Sequence, residues 1–283
     1  MTEWHMVERK THDVVGEGAI WSARDNAVYW TDIYGLALNR LRLEDDSVTR
    51  WETPEPMGWV IERERGGFIG GFRSGFAEVD VEPFGIRPIG DPEPNDRATR
   101  MNDAKADSYG NIWCGTCDVL DTGYHGSIYR LAPDLTWQSF GDGWGAPNGP
   151  AFSTDGAYMY MADSTARKIY RYEMDGADPG RREDFVTFAE EEGYPDGLTV
   201  DAEGGLWCAH FGAARVSRFT PEGDVDRVIS FPASQTTTVT FAGQDLDRMF
   251  VTSASWGLKG PYDGGIFEVD PGVKGLPSAL FAG

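Results

Sequence analysis

The sequence predicts an all-β fold, a six-bladed β-propeller with four antiparallel strands in each blade. Three observations favour it: a pattern of short strands that recurs six times, a period of 41 to 48 residues, and no convincing amphipathic helix of three turns. A four-stranded unit cannot bury both faces alone, so six units must close into a ring. We therefore expect residues 1–283 to form one domain.

Each copy of the repeat begins with an apolar strand, a tight polar turn and a second strand rich in aromatic and β-branched residues. Examples are GAIWSARDNAVYWTD at 18–32 and NDAKADSYGNIWCGT at 102–116. A third and a fourth strand follow, with the alternation typical of half-buried strands. The turn residue before each second strand recurs at intervals of 41, 43, 46, 48 and 43. These turn residues are Asn26, Gly67, Gly110, Gly156, Gly204 and Asp247.

The two ends of the chain supply the last strands of the ring. The segment SALFAG at 278–283 is assigned as the fourth strand of the last blade. The N-terminal segment WHMVERK at 4–10 is then a spare strand, and its natural partner is the last blade near SALFAG. Such pairing would close the ring and protect an open sheet edge.

Composition excludes several classes of partner. Lys and Arg number 25 against 46 Asp and Glu, and the net charge of −21 argues against nucleic acid and anionic membranes. No run approaches the length of a membrane span and the N-terminus has no secretory apolar region. Three cysteines, with Cys114 and Cys117 in a lone CxxC, fit reduced thiols and a cytoplasmic protein. A monomer is the default expectation.

The start of the innermost strand of each blade should lie at one mouth of the central channel. Counting back eight residues from the turn residue, or nine in the first and last blades, gives five polar residues out of six. Burying such groups costs several kcal/mol each unless they are paired. Carboxylate and amide oxygens around one mouth indicate a hard cation such as Ca²⁺, Mg²⁺ or Mn²⁺, and the lack of histidine weakens the case for zinc. The positions are Glu17, Trp59, Asn102, Asn148, Asp196 and Thr238.

Two of these positions have a simpler interpretation, since Asn148-Gly149 and Asp196-Gly197 are also common turn dipeptides. Arg100 precedes Asn102 by two residues, so in an extended strand both side chains face the same way. A guanidinium beside a metal suits a polyhydroxylated or anionic ligand. The alternative is a surface arginine in an acidic segment.

Several segments in order along the chain resemble the SMP-30/gluconolactonase/regucalcin family. They are GEGAIW (16–21), RMNDAKAD (100–107), PNGPAFS (147–153), YPDGLTVDAEGGLW (194–207) and GGIFEVDPGVKGLPSALFAG (264–283). The resemblance implies a six-bladed propeller with one divalent metal at the channel mouth. It also implies hydrolysis of a small sugar lactone, such as glucono-, xylono- or arabinonolactone, to the aldonic acid. Calcium is the metal favoured, with Zn²⁺, Mg²⁺, Mn²⁺ and Fe²⁺ as alternatives.

The same resemblance places the metal ligands on Glu17, Asn148 and Asp196 and the substrate contacts on Arg100 and Asn102. Asp196 is the expected catalytic residue, because its second carboxylate oxygen can accept a proton from the attacking water. The competing hypothesis is a non-catalytic, calcium-binding propeller with a regulatory or interaction role.

One loop, residues 117–126, departs from the family pattern. Val119 and Leu120 stand where some members carry a glutamate that binds substrate hydroxyls, and Asp118 or Asp121 could substitute for it. His125 in the same loop is expected to be exposed rather than part of a catalytic triad. The departure affects which sugar is preferred, not the reaction.

Overall fold

The computed structural model describes residues 3–96, 98–119 and 123–283. These residues form 24 β-strands in six four-stranded sheets, together with one 3-10 turn at Glu190–Glu192. First strands of adjacent sheets contact one another around a ring, with the remaining strands outward in order. The prediction of a six-bladed propeller is confirmed. No helix within these ranges is long and apolar enough to cross a membrane.

The strands follow the repeat that the sequence shows. Blade 1 contains β2 (Gly16–Ser22), β3 (Ala27–Asp32), β4 (Ala37–Arg42) and β5 (Val48–Glu52). Blade 2 contains β6 (Met57–Glu62), β7 (Phe68–Phe72), β8 (Gly75–Val81) and β9 (Phe84–Gly90). Blade 3 contains β10 (Thr99–Ala106), β11 (Ile112–Asp118), β12 (Gly126–Leu131) and β13 (Trp137–Trp144).

The second half of the ring has the same order. Blade 4 contains β14 (Pro147–Phe152), β15 (Tyr158–Asp163), β16 (Lys168–Asp175) and β17 (Asp178–Thr187). Blade 5 contains β18 (Tyr194–Val200), β19 (Leu206–Phe211), β20 (Arg215–Phe219) and β21 (Val225–Ser230). Blade 6 contains β22 (Thr236–Ala242), β23 (Arg248–Ser253), β24 (Ile266–Val269) and, from the other end of the chain, β1 (Trp4–Met6).

The ring closes through β1, and the assignment of SALFAG as the fourth strand of the last blade is wrong. β1 pairs antiparallel with β24, with Trp4 opposite Val269, and so occupies the edge that SALFAG was expected to take. Residues 278–283 instead lie against blades 2 and 3, where the Phe281 N–H donates to the Glu62 carbonyl at 2.9 Å. The fully buried Phe281 ring joins the apolar core of that region.

The predicted turns between first and second strands are present in all six blades. Five predicted turn residues adopt a left-handed backbone, with φ between 47° and 85°. In blade 6 the left-handed residue is Leu246 (φ 54°), one position before the predicted Asp247. In two blades an aspartate of this turn also accepts the indole N–H of a core tryptophan: Asp107 from Trp113 at 2.9 Å, and Asp201 from Trp207 at 2.7 Å.

Every innermost strand has a register shift near the same height, and this interruption positions the site. In β2 it lies between Glu17 and Ile20, and in β10 between Met101 and Ala104. A bulge leaves residues unpaired and redirects their side chains. In consequence, the six counted residues do not occupy one equivalent position. Glu17 and Asn148 are the last paired residues, whereas Asn102 and Asp196 are the first unpaired ones.

Candidate active site and metal centre

Three carboxyl groups lie close together inside the channel mouth. Glu17, Asp103 and Asp196 are 6%, 2% and 6% exposed. The carboxyl groups of Glu17 and Asp196 hydrogen-bond to each other, and the Asp103 charge acts on both. Asp103 was missed by counting, although it directly follows Asn102 in β10.

Glu17 is fixed by the backbone of its own strand and by blade 6. Its Oε2 accepts the Gly18 N–H at 2.9 Å and also accepts the Thr238 hydroxyl. Burial, followed by the Asp103 charge, raises the pKa of Glu17 to about 7. Burial and the charges of Glu17 and Asp103 also raise the pKa of Asp196 well above its usual range. The three groups therefore repel one another when ionised, and a cation bound by Glu17 and Asp196 would relieve that repulsion.

The two amides of the ring are joined by a hydrogen bond. Asn102 Nδ2 donates to Asn148 Oδ1 at 3.0 Å and to the Pro147 carbonyl at 2.8 Å. Asn148 Nδ2 donates to Ser164 Oγ at 2.8 Å. Because its nitrogen is engaged there, the Asn148 side chain presents its oxygen to the channel side, where an amide oxygen can coordinate a cation.

Arg100 is a buried part of this network, so the surface-arginine alternative is wrong. It is 8% exposed, and its Nη1 donates to Asn102 Oδ1 at 2.8 Å. Its Nε donates to the Tyr34 hydroxyl at 3.3 Å, and its guanidinium carbon lies 5.5 Å from the centre of the Tyr34 ring. Arg100 and Asn102 therefore face the same way, as the two-residue spacing predicted.

Asp103 and Lys105 extend the polar lining along the same strand. Asp103 Oδ2 accepts the Gly149 N–H at 2.8 Å, which links blade 3 to blade 4. Burial lowers the pKa of Lys105, while the charges of Asp103 and Glu17 act in the opposite direction. Counting along the sequence selected only one residue at the start of each innermost strand, so it did not select Asp103 or Lys105. The signal available was the charged alternation in Asn-Asp-Ala-Lys.

Three further residues that the sequence analysis named are Trp59, Asp118 and His125. Trp59 is fully buried, and its indole packs so closely on Gly71 that an added Cβ would lie 2.2 Å from it. Asp118 is buried at the end of β11, and His125 is exposed, as expected. Leu120 and Asp121 lie outside the described residues.

The donor set at the mouth fits a hard divalent cation. It consists of carboxylate and amide oxygens, which Ca²⁺ and similar ions prefer. No group of three or more His, Cys, Asp or Glu side chains among the described residues could by itself bind a metal. The predicted set of Glu17, Asn148 and Asp196 contains two carboxylates and one amide, so it is not such a group. The three cysteines are buried and form no disulfide.

Comparison with known proteins identifies the family. The family model described as "SMP-30/Gluconolactonase/LRE-like region" matches residues 15–255. The chain belongs to the SMP-30/gluconolactonase/LRE-like family. The resemblance inferred from the sequence motifs is thereby confirmed.

Members of the family match over nearly the whole chain. A 6-deoxy-6-sulfogluconolactonase of Pseudomonas putida is 34% identical over 95% of this chain and 96% of its own. An L-arabinolactonase of Azospirillum brasilense is 33% identical over 96% of this chain and 94% of its own. The solved structure of a calcium-binding protein, regucalcin, from Agrobacterium tumefaciens superposes with a TM-score of 0.93 at 25% identity, over 99% of this chain and 97% of that one.

Proposed function

We propose that this protein hydrolyses a sugar lactone to the aldonic acid with the help of one divalent metal ion, calcium being favoured. Family membership and relatives named as sugar lactonases support the reaction. The observation that carries the proposal is the direct hydrogen-bonded connection between the proposed ligand Asn148 and the proposed substrate contacts Asn102 and Arg100. A metal-binding function alone would not require that connection.

The residues divide into two groups in this mechanism. Glu17, Asn148 and Asp196 would bind the cation, which supplies polarisation of the lactone carbonyl and acidification of a water molecule. Asp196 would accept a proton from the attacking water. Arg100 and Asn102 would orient the lactone oxygen and ring hydroxyls. The water oxygen would bond to the carbonyl carbon, the bond from that carbon to the ring oxygen would break, and the ring oxygen would take up the proton held by Asp196.

The test uses protein stripped with a chelator and reloaded with Ca²⁺, Zn²⁺, Mg²⁺, Mn²⁺ or Fe²⁺. Glucono-, xylono- and arabinonolactone opening is followed with a pH indicator and corrected for the spontaneous rate. We expect an excess rate that chelation removes. Asp196→Ala should lose both metal binding and rate, whereas the exposed carboxylate variant Glu191→Ala should retain both.

The same experiment decides the competing function. Regucalcin carries the description of a calcium-binding protein, so a non-catalytic metal-binding propeller is the specific alternative. Stoichiometric metal binding without an excess rate on any lactone would establish that alternative. Retained stoichiometric metal in Asp196→Ala would contradict the ligand assignment.

A further inference from the structure

An aromatic pair, exposed Trp256 and half-buried Tyr34, lies beside the proposed active site. The Trp256 side chain, in the loop between β23 and β24, is 53% exposed. Its ring centre lies 4.8 Å from that of Tyr34, in the loop between β3 and β4, at an interplanar angle of 40°. Single exposed aromatic residues are ordinary on protein surfaces, but a paired one that adjoins a polar site is a candidate ligand surface.

Direct contacts connect this pair to the proposed metal ligand. Tyr34 accepts a hydrogen bond from Arg100 Nε at 3.3 Å and donates one to the Val119 carbonyl at 3.4 Å. Arg100 donates to Asn102, and Asn102 donates to Asn148. The exposed indole is therefore one aromatic ring further out than Arg100, at the rim of the same mouth.

The backbone that carries the indole is also held in place before any ligand binds. The Ser255 N–H donates to the Val14 carbonyl at 3.0 Å, and the Ser255 hydroxyl donates to the Asp13 carbonyl at 2.8 Å. Gln235 Nε2 donates to the carbonyl of Trp256 itself at 3.1 Å. A surface fixed in this way loses little conformational freedom when a ligand stacks on it.

We propose that Tyr34 and Trp256 form an outer subsite that stacks a second sugar ring, so that the preferred substrate is an aldonolactone carrying a glycosyl group. This inference rests on the proposed lactonase function. A lactone contacting the metal, Asn102 and Arg100 uses the inner positions. Trp256 lies outside these positions, where it could stack on a second sugar ring attached to the lactone. The face of an aromatic ring is electron-rich and attracts the C–H groups on the apolar face of a sugar, while the sugar hydroxyls stay in water.

The kinetic test compares gluconolactone with its 4-O-glucosyl derivative, cellobionolactone. Trp256→Ala should raise KM for cellobionolactone about fivefold to tenfold, the loss of one aromatic contact, and leave kcat nearly unchanged. KM for gluconolactone should change less than about twofold. Trp256→Phe keeps an aromatic face, so its KM for cellobionolactone should stay close to that of the parent protein. The control is Tyr109→Ala, which removes another exposed aromatic residue from a turn at the opposite ends of the inner strands.

A binding test keeps this inference separable from the lactonase proposal. Calorimetry of metal-loaded protein should show tighter binding of cellobionate than of gluconate, and Trp256→Ala should abolish the difference. An equal loss of affinity for gluconate and cellobionate in Trp256→Ala would overturn the outer subsite. Equal affinity of the unmodified protein for both acids would overturn it as well. If neither lactone is opened, the lactonase proposal fails, and the two sugar acids still decide the subsite.

Discussion

Asn102 connects the two halves of the candidate site through opposite ends of its amide. Its Oδ1 accepts a hydrogen bond from Arg100 Nη1 at 2.8 Å, and its Nδ2 donates one to Asn148 Oδ1 at 3.0 Å. The same side chain thus orients a proposed substrate contact and a proposed metal ligand. Asn102, itself a proposed substrate contact, therefore links the substrate side of the site to the metal side.

Replacing Asn102 should separate metal binding from turnover. Asn102→Ala leaves the three proposed ligands in place, so metal affinity should change by less than about threefold, whereas kcat/KM should fall about tenfold. Calorimetry and lactone kinetics measure the two effects. The control Asn111→Ala removes another buried asparagine, one that hydrogen-bonds to Asp107 away from the mouth. Loss of stoichiometric metal in Asn102→Ala would instead make Asn102 a ligand.

Buried His210 should make the protein less stable in mild acid. Burial lowers the pKa of His210 to about 4, and its Nε2 has no partner among the described residues. The unfolded chain protonates near 6.5, so stability is fully present above that pH and falls as the pH drops toward 4. The free energy of unfolding should fall by about 2 kcal/mol between pH 7.5 and pH 5 from this residue alone.

Urea unfolding of His210→Phe at the same two pH values isolates that contribution. The new phenyl ring has no titratable group. It would contact Phe188, whose ring centre lies 4.7 Å from that of the imidazole. The variant should therefore lose less stability than the parent on acidification, by about the same 2 kcal/mol. Equal losses in both proteins would show that His210 is not protonated on unfolding in this range.

At the scale of elements, the last blade depends on a strand from the other end of the chain. β1 pairs over three residues with β24, and Trp4 packs edge-on against Phe267 at 5.5 Å. Without β1, the outer edge of β24 would present unpaired N–H and C=O groups to water or to another molecule.

Removal of residues 1–7 should therefore destabilise the protein and promote association. The loss of β1 and its apolar contacts should cost about 2 to 4 kcal/mol, or about 3 to 7 °C in Tm for a chain of this length. Calorimetry and light scattering measure the two effects. Truncation of residues 1–3 alone retains β1 and should behave like the parent. An unchanged Tm after the longer truncation would show that β1 contributes nothing to ring closure.

Local pattern was enough to predict most elements, because the turn before each second strand repeats at a nearly fixed interval. The local pattern gave a wrong assignment at SALFAG, because polar and apolar residues alternate there as they do in a strand. Which segment pairs with β24 is decided by long-range ring closure, and β1 takes that edge. The counted site residues did come together. Asp103 was missed because the register shift leaves two successive residues, Asn102 and Asp103, unpaired, and Lys105 was missed because only one position in each blade was counted. The roles of the site residues stay predictions.

At the scale of the whole molecule, both ends of the chain are tied to distant blades. β1 completes blade 6, and Phe281 is buried in a core shared by blades 1 to 3. The pairing of Trp4 with Val269 and the hydrogen bond from Phe281 to Glu62 each join sequence positions more than 200 residues apart. Such contacts favour unfolding as one unit, and a single domain over residues 1–283 stays a prediction.

Equilibrium unfolding in urea should then show one transition. Tryptophan fluorescence and far-UV circular dichroism should give coincident curves, since opening any blade removes contacts from its neighbours. The test is best done without added metal, which would stabilise the folded state by mass action. Two separate transitions would contradict the single-domain prediction.

The interruption in the inner strands also bears on how such a molecule can change its chemistry over time. Regular pairing resumes at Ile20, Ala104 and Leu198, just beyond the residues that face the mouth. A replacement at Asn102 or Asp196 therefore breaks no backbone hydrogen bond of the ladder. New ligand preferences can be acquired there while the scaffold keeps its pairing, so innovation at the mouth and robustness of the ring are largely independent.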